Sequence, residues 1–395
     1  MENYQITKVE IDYTYYNPYL CFPMESITSL HSIEEALEDI KQGKVLIVVD
    51  NEDRENEGDF ICAAECITPE IINFMATHGR GLICAPIDEQ RAEELNLPLM
   101  VSSNTAAHET AFTVSIDLIG HECTTGISAH DRAACIKALT QKDSKATDFA
   151  RPGHIFPLRS KSGGVLRRNG HTEASVDLAK LAGLYPAGVL VEILNADGTM
   201  ARLPQLMEIA KLHSLKIISI QDLVEYRLKK ERLVDRCYEK AISTPHGDFK
   251  VIVYRQNNGD EHFAIVKGSF GIEDVVPVRV HSASESGDIY SILFNGYAKQ
   301  IDKTLDYIGK HGKGVFLNLF HEEKKLSLLE ALKSQPNLDT TYDPNKQQRD
   351  YGIGAQILKD LGIRKIHLIT AQPRKRIGLK AFDLEIVDHL DPNEM

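Results

Sequence analysis

The sequence contains 395 residues, of which 43% are hydrophobic and 26% are charged, and its formal net charge at pH 7 is −12. This length fits two or three domains, and the composition excludes a disordered chain. The negative charge argues against a dedicated nucleic-acid-binding protein, and no apolar run approaches the roughly 18 residues that cross a membrane. The first residues lack the basic and apolar regions of a signal peptide, so we expect a cytoplasmic protein.

The first half of the chain is predicted to form an α/β (α+β) layer domain. Residues 1–25 contain Tyr and Pro without periodicity, which indicates an N-terminal extension. From Ser32, a capped helix start is followed by an apolar strand at 44–50, and helical and strand patterns then alternate. Further helices are predicted at 69–78, 88–95, 130–140 and 172–182.

A second domain of mixed strands and helices is predicted after a charged helical segment at 222–236. We place the first domain at 26–228, a linker at 229–242 and the second domain at 243–395. Strands of the second domain are predicted at 251–254, 278–281, 315–319 and 365–370. Its helices are predicted at 298–309 and 351–361.

Residues 50–59 contain six carboxylates directly after the apolar strand. A solvated turn is one interpretation of such a run. Ligands, however, bind at strand ends in α/β proteins, and clustered carboxylates repel one another unless a cation joins them. Oxygen ligands suit Mg²⁺ or Mn²⁺, and carboxylates that the metal does not use could transfer protons. The second interpretation is therefore a metal site with acid–base groups.

A second group of polar residues surrounds the predicted start of a helix at Thr172. Arg167 and Arg168 precede this start, and the helix N-terminus with the Thr172 hydroxyl would bind the anion of a phosphate monoester. His171 is placed to bind a metal that touches the same ligand. The alternative is that Thr172 only caps the helix and the arginines are surface charges. Together with the acidic segment, the group favours a metal and sugar-phosphate site.

The first half resembles 3,4-dihydroxy-2-butanone 4-phosphate synthase from about Ser32 to Tyr226. The motifs that carry the resemblance are DRENEGD at 53–59, TTGISA at 124–129, RPGH at 151–154 and GHTEA at 170–174. The resemblance implies a homodimeric α/β enzyme that uses Mg²⁺ or Mn²⁺. Its reaction converts D-ribulose 5-phosphate to L-3,4-dihydroxy-2-butanone 4-phosphate and formate, in riboflavin biosynthesis.

The same resemblance implies site residues by motif position. Glu55 and His171 would be the metal ligands. The residues implied in catalysis, by proton transfer or by positioning the reacting carbons, are Glu57, Asp59, His154 and Glu192. The residues implied in substrate binding are Arg54, Asp59, Arg168 and Thr172, of which Arg168 and Thr172 would hold the phosphate.

The second half resembles GTP cyclohydrolase II. The motifs are GDF at 247–249, EHFAIVKG at 261–268, VRVHS at 278–282, GD at 287–288, RDYGIGAQIL at 349–358 and PRK at 373–375. The family binds Zn²⁺ with three cysteines, and the corresponding positions here are Ser284, Asn295 and Tyr297. Of the seven cysteines, which we expect to be reduced thiols, none follows Cys237. A hydroxyl, an amide and a phenol cannot replace three thiolate ligands, so no zinc is expected.

Two further parts of the cyclohydrolase pattern are altered. The family's glycine-rich substrate loop is replaced by HEEKKLSL at 321–328, and Gln347 replaces an acidic residue two positions before Arg349, which is retained. We therefore expect a synthase with a catalytically inactive second domain. Two alternatives stay open: GTP hydrolysis through an unfamiliar site, or a regulatory module that binds a partner or a GTP-like nucleotide, the latter through the retained Arg349, Pro373-Arg374-Lys375 and Arg376.

Overall fold

The chain folds into two β-sheets with helices packed against them. A computed structural model describes residues 29–52, 54–106, 108, 110–256, 259–283, 297–320, 344–370 and 383–392. The expected extension at 1–25 and Asp53 lie outside these residues. Among them, no helix is both long and apolar enough to cross a membrane.

The first sheet is built from strands before residue 220 and is covered by helices on both faces. Its strands are β1 Leu46–Val49, β2 Gly58–Ala63, β3 Cys84–Ile87, β4 Ile116–Leu118, β5 Phe149–Arg159, β6 Gly188–Glu192 and β7 Ile217–Ser219. The helices are α1 Ile33–Lys41, α2 Pro69–His78, α3 Glu89–Glu94, α4 Ala129–Thr140, α5 His171–Leu181, α6 Leu203–His213 and α7 Ile220–Lys230. The strand order is β4–β5–β3–β6–β2–β1–β7, with parallel and antiparallel pairs mixed.

The alternation of side chains along β2 explains the layered arrangement. Ile61 faces a core that includes buried residues of α1, α5 and α7, whereas Phe60 faces a second core with residues of α2, α4 and α6. Because successive strand residues point to opposite faces, one buried strand supplies both cores. The predicted α/β class is therefore confirmed. The capped start of α1 is confirmed as well, since Ser32 and Glu35 form a reciprocal capping box.

The second sheet has the order β14–β13–β11–β12–β10–β9–β8. Its strands are β8 Val234–Thr244, β9 Gly247–Gln256, β10 Glu261–Lys267, β11 Val275–Ala283, β12 Gly314–Phe320, β13 Lys365–Ile369 and β14 Glu385–Leu390. The described helices of this half are α8 Tyr297–His311 and α9 Pro344–Asp360.

The prediction of a linker at 229–242 is wrong for most of that segment. Helix α7 continues to Lys230, and β8 begins at Val234 and pairs with β9 over its whole length. Most side chains of β8 are exposed, because β8 is the edge strand of its sheet. An edge strand without a buried face shows no apolar alternation, so the sequence pattern did not reveal it.

One apolar core continues from the first sheet into the second. Leu228 at the end of α7 and Ile353 and Ile357 of α9 belong to the same cluster of buried residues as the first sheet's Ile61. The contact is close, since a Cβ atom at Gly352 would lie 2.5 Å from Leu228 Cδ2. The two halves therefore share buried surface, in addition to being joined by the chain.

Replacing Leu228 by Ala is expected to lower the free energy of unfolding by about 2–5 kcal/mol, because it opens a cavity where α7 meets α9. Urea unfolding followed by circular dichroism measures the change. The neighbouring Lys229 is exposed, and Lys229→Ala should change the free energy by less than about 0.5 kcal/mol. Equal midpoints for the two variants would contradict the shared core.

Candidate metal and phosphate site

The acidic segment after β1 is folded around one carboxylate. Asp50 Oδ2 accepts hydrogen bonds from Arg54 Nη1 at 2.9 Å and from the Glu55 backbone N–H at 3.0 Å. Its other oxygen, Oδ1, accepts the Glu57 backbone N–H at 2.8 Å. The segment is therefore an ordered loop that aims its side chains, and the solvated-turn interpretation does not describe it.

His171 is the first residue of α5 and is buried against the end of β1. Its Nε2 lies 3.1 Å from the carbonyl oxygen of Val48. Since a carbonyl only accepts, Nε2 carries a proton, and Nδ1 faces the acidic loop. Nδ1 lies 3.9 Å from Glu55 Oε2 and 4.0 Å from Asp59 Oδ2. The helix start thus places an imidazole nitrogen between two carboxylates.

The charges in this cluster shift one another's pKa values. Burial disfavours the charged ring of His171, but the carboxylates of Asp59 and Glu55 outweigh burial and raise its pKa to about 9. Burial alone would raise the pKa of Glu55, yet His171 and Arg54 lower it to about 2. For Asp59, burial dominates over the attraction of His171 and raises the pKa to about 7. Burial and the charge of Glu55 also raise the pKa of Glu57.

These donors fit a divalent cation with oxygen-rich coordination. One ligand atom from each of Asp50, Glu55 and His171 lies within 4.8 Å of the others. The oxygens of Asp50 already hold the loop, whereas Asp59 Oδ1 is buried and has no hydrogen-bond partner among the described residues. Carboxylate oxygens with one imidazole suit Mg²⁺ or Mn²⁺. Glu55 and His171, both predicted as ligands, are therefore brought together.

Glu192 lies beside Asp59 on the neighbouring strand. The two residues are register partners in the antiparallel pair β2–β6, so their side chains lie on the same face. Glu192 Oε2 accepts the Leu82 backbone N–H at 2.9 Å. A Cβ atom at Gly81 would lie 2.4 Å from that oxygen, so only glycine allows this close approach. The carboxylate of Glu192 is thereby fixed next to the cluster.

Two arginines converge on the N-terminus of α5. A Cβ atom at Gly170 would lie 2.4 Å from Arg168 Nη1 and 3.0 Å from Arg54 Nη2. Arg168 is held by Glu173 Oε2 at 2.7 Å and by the carbonyl oxygen of His108 at 2.9 Å. The buried Thr172 lies in the same helical turn. Guanidinium groups at a helix N-terminus form a favourable site for a phosphate.

His154 lies apart from the other predicted residues. Its Nδ1 is 2.7 Å from Asp117 Oδ2, and its backbone N–H donates to Asp117 Oδ1 at 2.9 Å. Strand β5, which carries His154, is separated from β2 by β3 and β6, a distance of roughly 14 Å at normal strand spacing. No contact among the described residues joins His154 to Glu55, Asp59 or His171. Gly126 of the TTGISA motif packs against Asp117 instead.

The sequence did not assign three residues that organise this region. Asp50 folds the acidic loop, Glu173 orients Arg168, and Asp117 binds His154. Asp50 lies in the acidic segment and Glu173 in the GHTEA motif, so both were available as candidates. Asp117 stands in a short strand without a distinguishing pattern, and the sequence offers no signal for its role.

The cyclohydrolase positions that bear on zinc and nucleotide binding, altered and retained, lie largely outside the described residues. These are Ser284, Asn295, the segment 321–328 and the cations at 374–376, together with the side chains of Tyr297, Gln347 and Arg349. Their predicted consequences for zinc and nucleotide binding therefore stay predictions.

Comparison with known proteins agrees with both resemblances. The family model of 3,4-dihydroxy-2-butanone 4-phosphate synthase matches residues 34–226, and that of GTP cyclohydrolase II matches residues 235–391. The riboflavin biosynthesis protein RibBA of Cytophaga hutchinsonii is 54% identical over 375 residues, which cover 92% of each chain. The protein of the same name from Porphyromonas gingivalis is 52% identical over 378 residues, 93% of each chain.

Solved structures give the same result. RibBX of A. baumannii, a two-domain 3,4-dihydroxy-2-butanone 4-phosphate synthase, is 40% identical with a TM-score of 0.73, and the match covers 91% of this chain and all of that one. A synthase crystallised with two magnesium ions is 40% identical with a TM-score of 0.50, over 51% of this chain and 98% of that one. The chain therefore belongs to the family of riboflavin biosynthesis proteins in which a 3,4-dihydroxy-2-butanone 4-phosphate synthase domain precedes a GTP cyclohydrolase II domain.

Proposed function

We propose that this protein converts D-ribulose 5-phosphate to L-3,4-dihydroxy-2-butanone 4-phosphate and formate, and that its second domain does not hydrolyse GTP. The observation that carries the first part is the position of the carboxylate and imidazole cluster beside two arginines at a helix N-terminus. A ketose phosphate needs both: a cationic site for its phosphate and a metal with acid–base groups for its carbons.

In this proposal the phosphate binds at the start of α5. Arg168 donates to it, with its plane fixed by Glu173, and Arg54 adds a second positive charge from the acidic loop. The Thr172 hydroxyl and the first backbone N–H groups of α5 complete the donors. Binding at one end fixes the sugar so that its carbonyl end reaches Glu55 and His171.

Glu55 and His171 are proposed to hold Mg²⁺ or Mn²⁺. When bound, the cation polarises the carbonyl and hydroxyl oxygens of the sugar, which makes the neighbouring carbon more acidic. The synthase solved with two magnesium ions, at 40% identity, supports a magnesium site in this domain.

Asp59, Glu57 and Glu192 are proposed to transfer protons. A pKa of about 7 lets Asp59 both accept a proton from carbon and return it near neutral pH. Glu192, its register partner, supplies the second carboxyl group that the loss of a carbon as formate requires. Asp59 is buried, so its carboxyl group is shielded from bulk water.

His154 is also proposed to take part in catalysis, but its distance from the other site residues sets a condition on that role. A role in positioning or protonating the reacting carbons needs a closer approach to substrate than the arrangement within one chain provides. We therefore include in the proposed function the homodimer that the family resemblance implies.

The proposed inactivity of the second domain rests on its sequence. No cysteine follows Cys237, so three thiolate ligands for Zn²⁺ are lacking, and without that Lewis acid no water is activated to open the imidazole ring of GTP. The similarity over 91% of this chain to RibBX, a two-domain 3,4-dihydroxy-2-butanone 4-phosphate synthase, supports this assignment. A bifunctional enzyme is the second candidate, favoured by the RibBA name of the relatives and the match to the cyclohydrolase family model.

Purified protein with Mg²⁺ is expected to form the four-carbon phosphate and formate from ribulose 5-phosphate, but no pyrimidine product from GTP with added Zn²⁺. The GTP assay must follow the pyrimidine, because both reactions release formate. Turnover of ribulose 5-phosphate in the same preparation is the control for folding. A pyrimidine product would overturn the loss of the zinc site, and GTP binding that changes the synthase rate would identify a regulatory second domain.

A further inference from the structure

Arg227 on α7 forms a buried network outside the site described above. Its Nη1 donates to Asp177 Oδ2 at 2.6 Å and to the carbonyl oxygen of Gly163 at 2.8 Å. Its Nε and Nη2 donate to the two carboxylate oxygens of Glu231 at 2.6 and 2.7 Å. The side chain is only 10% exposed. One guanidinium group thus joins three parts of the chain.

The first part is the turn at residues 163–166, which precedes Arg168, the arginine proposed to bind the substrate phosphate. Asp177 Oδ2 also accepts the Val165 backbone N–H at 2.7 Å, and a Cβ atom at Gly164 would lie 2.1 Å from Asp177 Oδ1. The carbonyl oxygen of Gly164 in turn accepts the backbone N–H of Arg168 at 3.0 Å. Arg227 and Asp177 therefore hold the turn from which Arg168 extends, and Asp177 ties that turn to α5.

The second domain is attached to the other end of the network. Gln356 of α9 donates from Nε2 to the carbonyl oxygen of Glu231 at 2.7 Å and to that of Leu228 at 3.2 Å. Its Oε1 accepts the Leu233 backbone N–H at 2.8 Å. These bonds fix the end of α7 and the residue that pairs with Arg227. The second domain is thus hydrogen-bonded to the same turn of α7 that carries Arg227.

We propose that Arg227 is a positioning residue of the synthase, through which Gln356 of the second domain fixes the geometry of the phosphate site. The proposal rests on the proposed function, in which Arg168 binds the substrate phosphate. If the end of α7 loosens, Arg227 no longer holds the 163–166 turn in one position, and Arg168 meets the phosphate less often in the productive geometry. Substrate binding weakens, while the metal and proton-transfer groups stay in place.

The test compares Gln356→Met, Arg227→Lys and Arg227→Ala in the full-length protein. Gln356→Met keeps the volume and removes the hydrogen bonds, and it should raise the KM for ribulose 5-phosphate roughly three- to tenfold with kcat within about twofold. Arg227→Ala should raise KM further, and Arg227→Lys should restore part of the loss. Inhibition by inorganic phosphate should weaken by the same factor as KM rises. A merely structural role would lower stability without moving the phosphate inhibition constant.

Lys359→Ala on α9 and Lys229→Ala on α7 are the matched controls, because both side chains are exposed and lie outside the network. Should Arg227→Ala fail to fold, the other two variants decide. An unchanged KM and an unchanged phosphate inhibition constant in folded Gln356→Met and Arg227→Lys would overturn the proposal. Absence of ribulose 5-phosphate turnover in the unaltered protein would instead overturn the proposed function.

Discussion

Glu55→Gln and His171→Ala are each expected to lower formate release from ribulose 5-phosphate by roughly 1,000-fold, with the domain still folded. The reason is the geometry at the start of α5, where His171 Nδ1 faces Glu55 Oε2 at 3.9 Å and the ligand atoms of Asp50, Glu55 and His171 converge within 4.8 Å of one another. Removing either ligand weakens the hold on the cation, and the sugar oxygens lose their polarisation. The rate measured at saturating Mg²⁺ gives the effect.

The acidic loop provides its own control. Glu52 is an exposed carboxylate three residues before Glu55, and Glu52→Gln should leave the rate within about twofold. Binding of Mn²⁺, followed by electron paramagnetic resonance, should be lost in the Glu55 and His171 variants and kept in the Glu52 variant. Near-normal turnover in either ligand variant would refute the metal assignment.

Arg168→Met is expected to raise the KM for ribulose 5-phosphate by roughly 100-fold, which matches the loss of a charge-assisted hydrogen bond to phosphate. Arg168 is fixed by Glu173 and His108 and converges with Arg54 on Gly170. The adjacent Arg167 is exposed and is the natural control. Arg167→Met should change KM by less than about twofold.

Inhibition by inorganic phosphate distinguishes a variant that has lost its phosphate contact from a variant whose site is misfolded. Arg168→Met should lose inhibition by phosphate while keeping Mn²⁺ binding, because the converging ligand atoms belong to Asp50, Glu55 and His171 and not to Arg168. If Arg167→Met instead of Arg168→Met loses phosphate inhibition, the assignment of the two arginines is reversed.

Helices and strands whose sequence pattern lies within their own residues were predicted accurately. The capping box of α1, the buried strand β1 and the start of α5 are each encoded by a few adjacent residues, and each is confirmed. The residue patterns already favoured one metal site shared by His171 and the acidic segment, but the choice of Glu55 as a ligand came from the family motifs, which connect segments that are distant in sequence. Periodicity alone could not pair the end of β1 with the start of α5.

The errors and omissions have a common physical origin. Strand β8 was predicted as part of a linker because its partner, β9, supplies the hydrogen bonds and no buried face marks it. Asp117 was missed because its role arises from the pairing of β4 with β5. Likewise, the roles of Arg227 and Gln356 depend on contacts between the two halves of the chain. Such residues are recognised only after the sheets and helices are assembled.

The continuous core has a consequence for how this chain evolves. Leu228, Gly352 and Ile353 are packed across the boundary, so discarding the second half would expose apolar surface of the first. Selection on the synthase alone therefore preserves the second half, whether or not that half turns over a substrate. Mutations should then accumulate at positions that serve only GTP chemistry, while the residues along the α7–α9 contact change slowly. Packing across the boundary thus retains the second domain even when only the synthase is under selection.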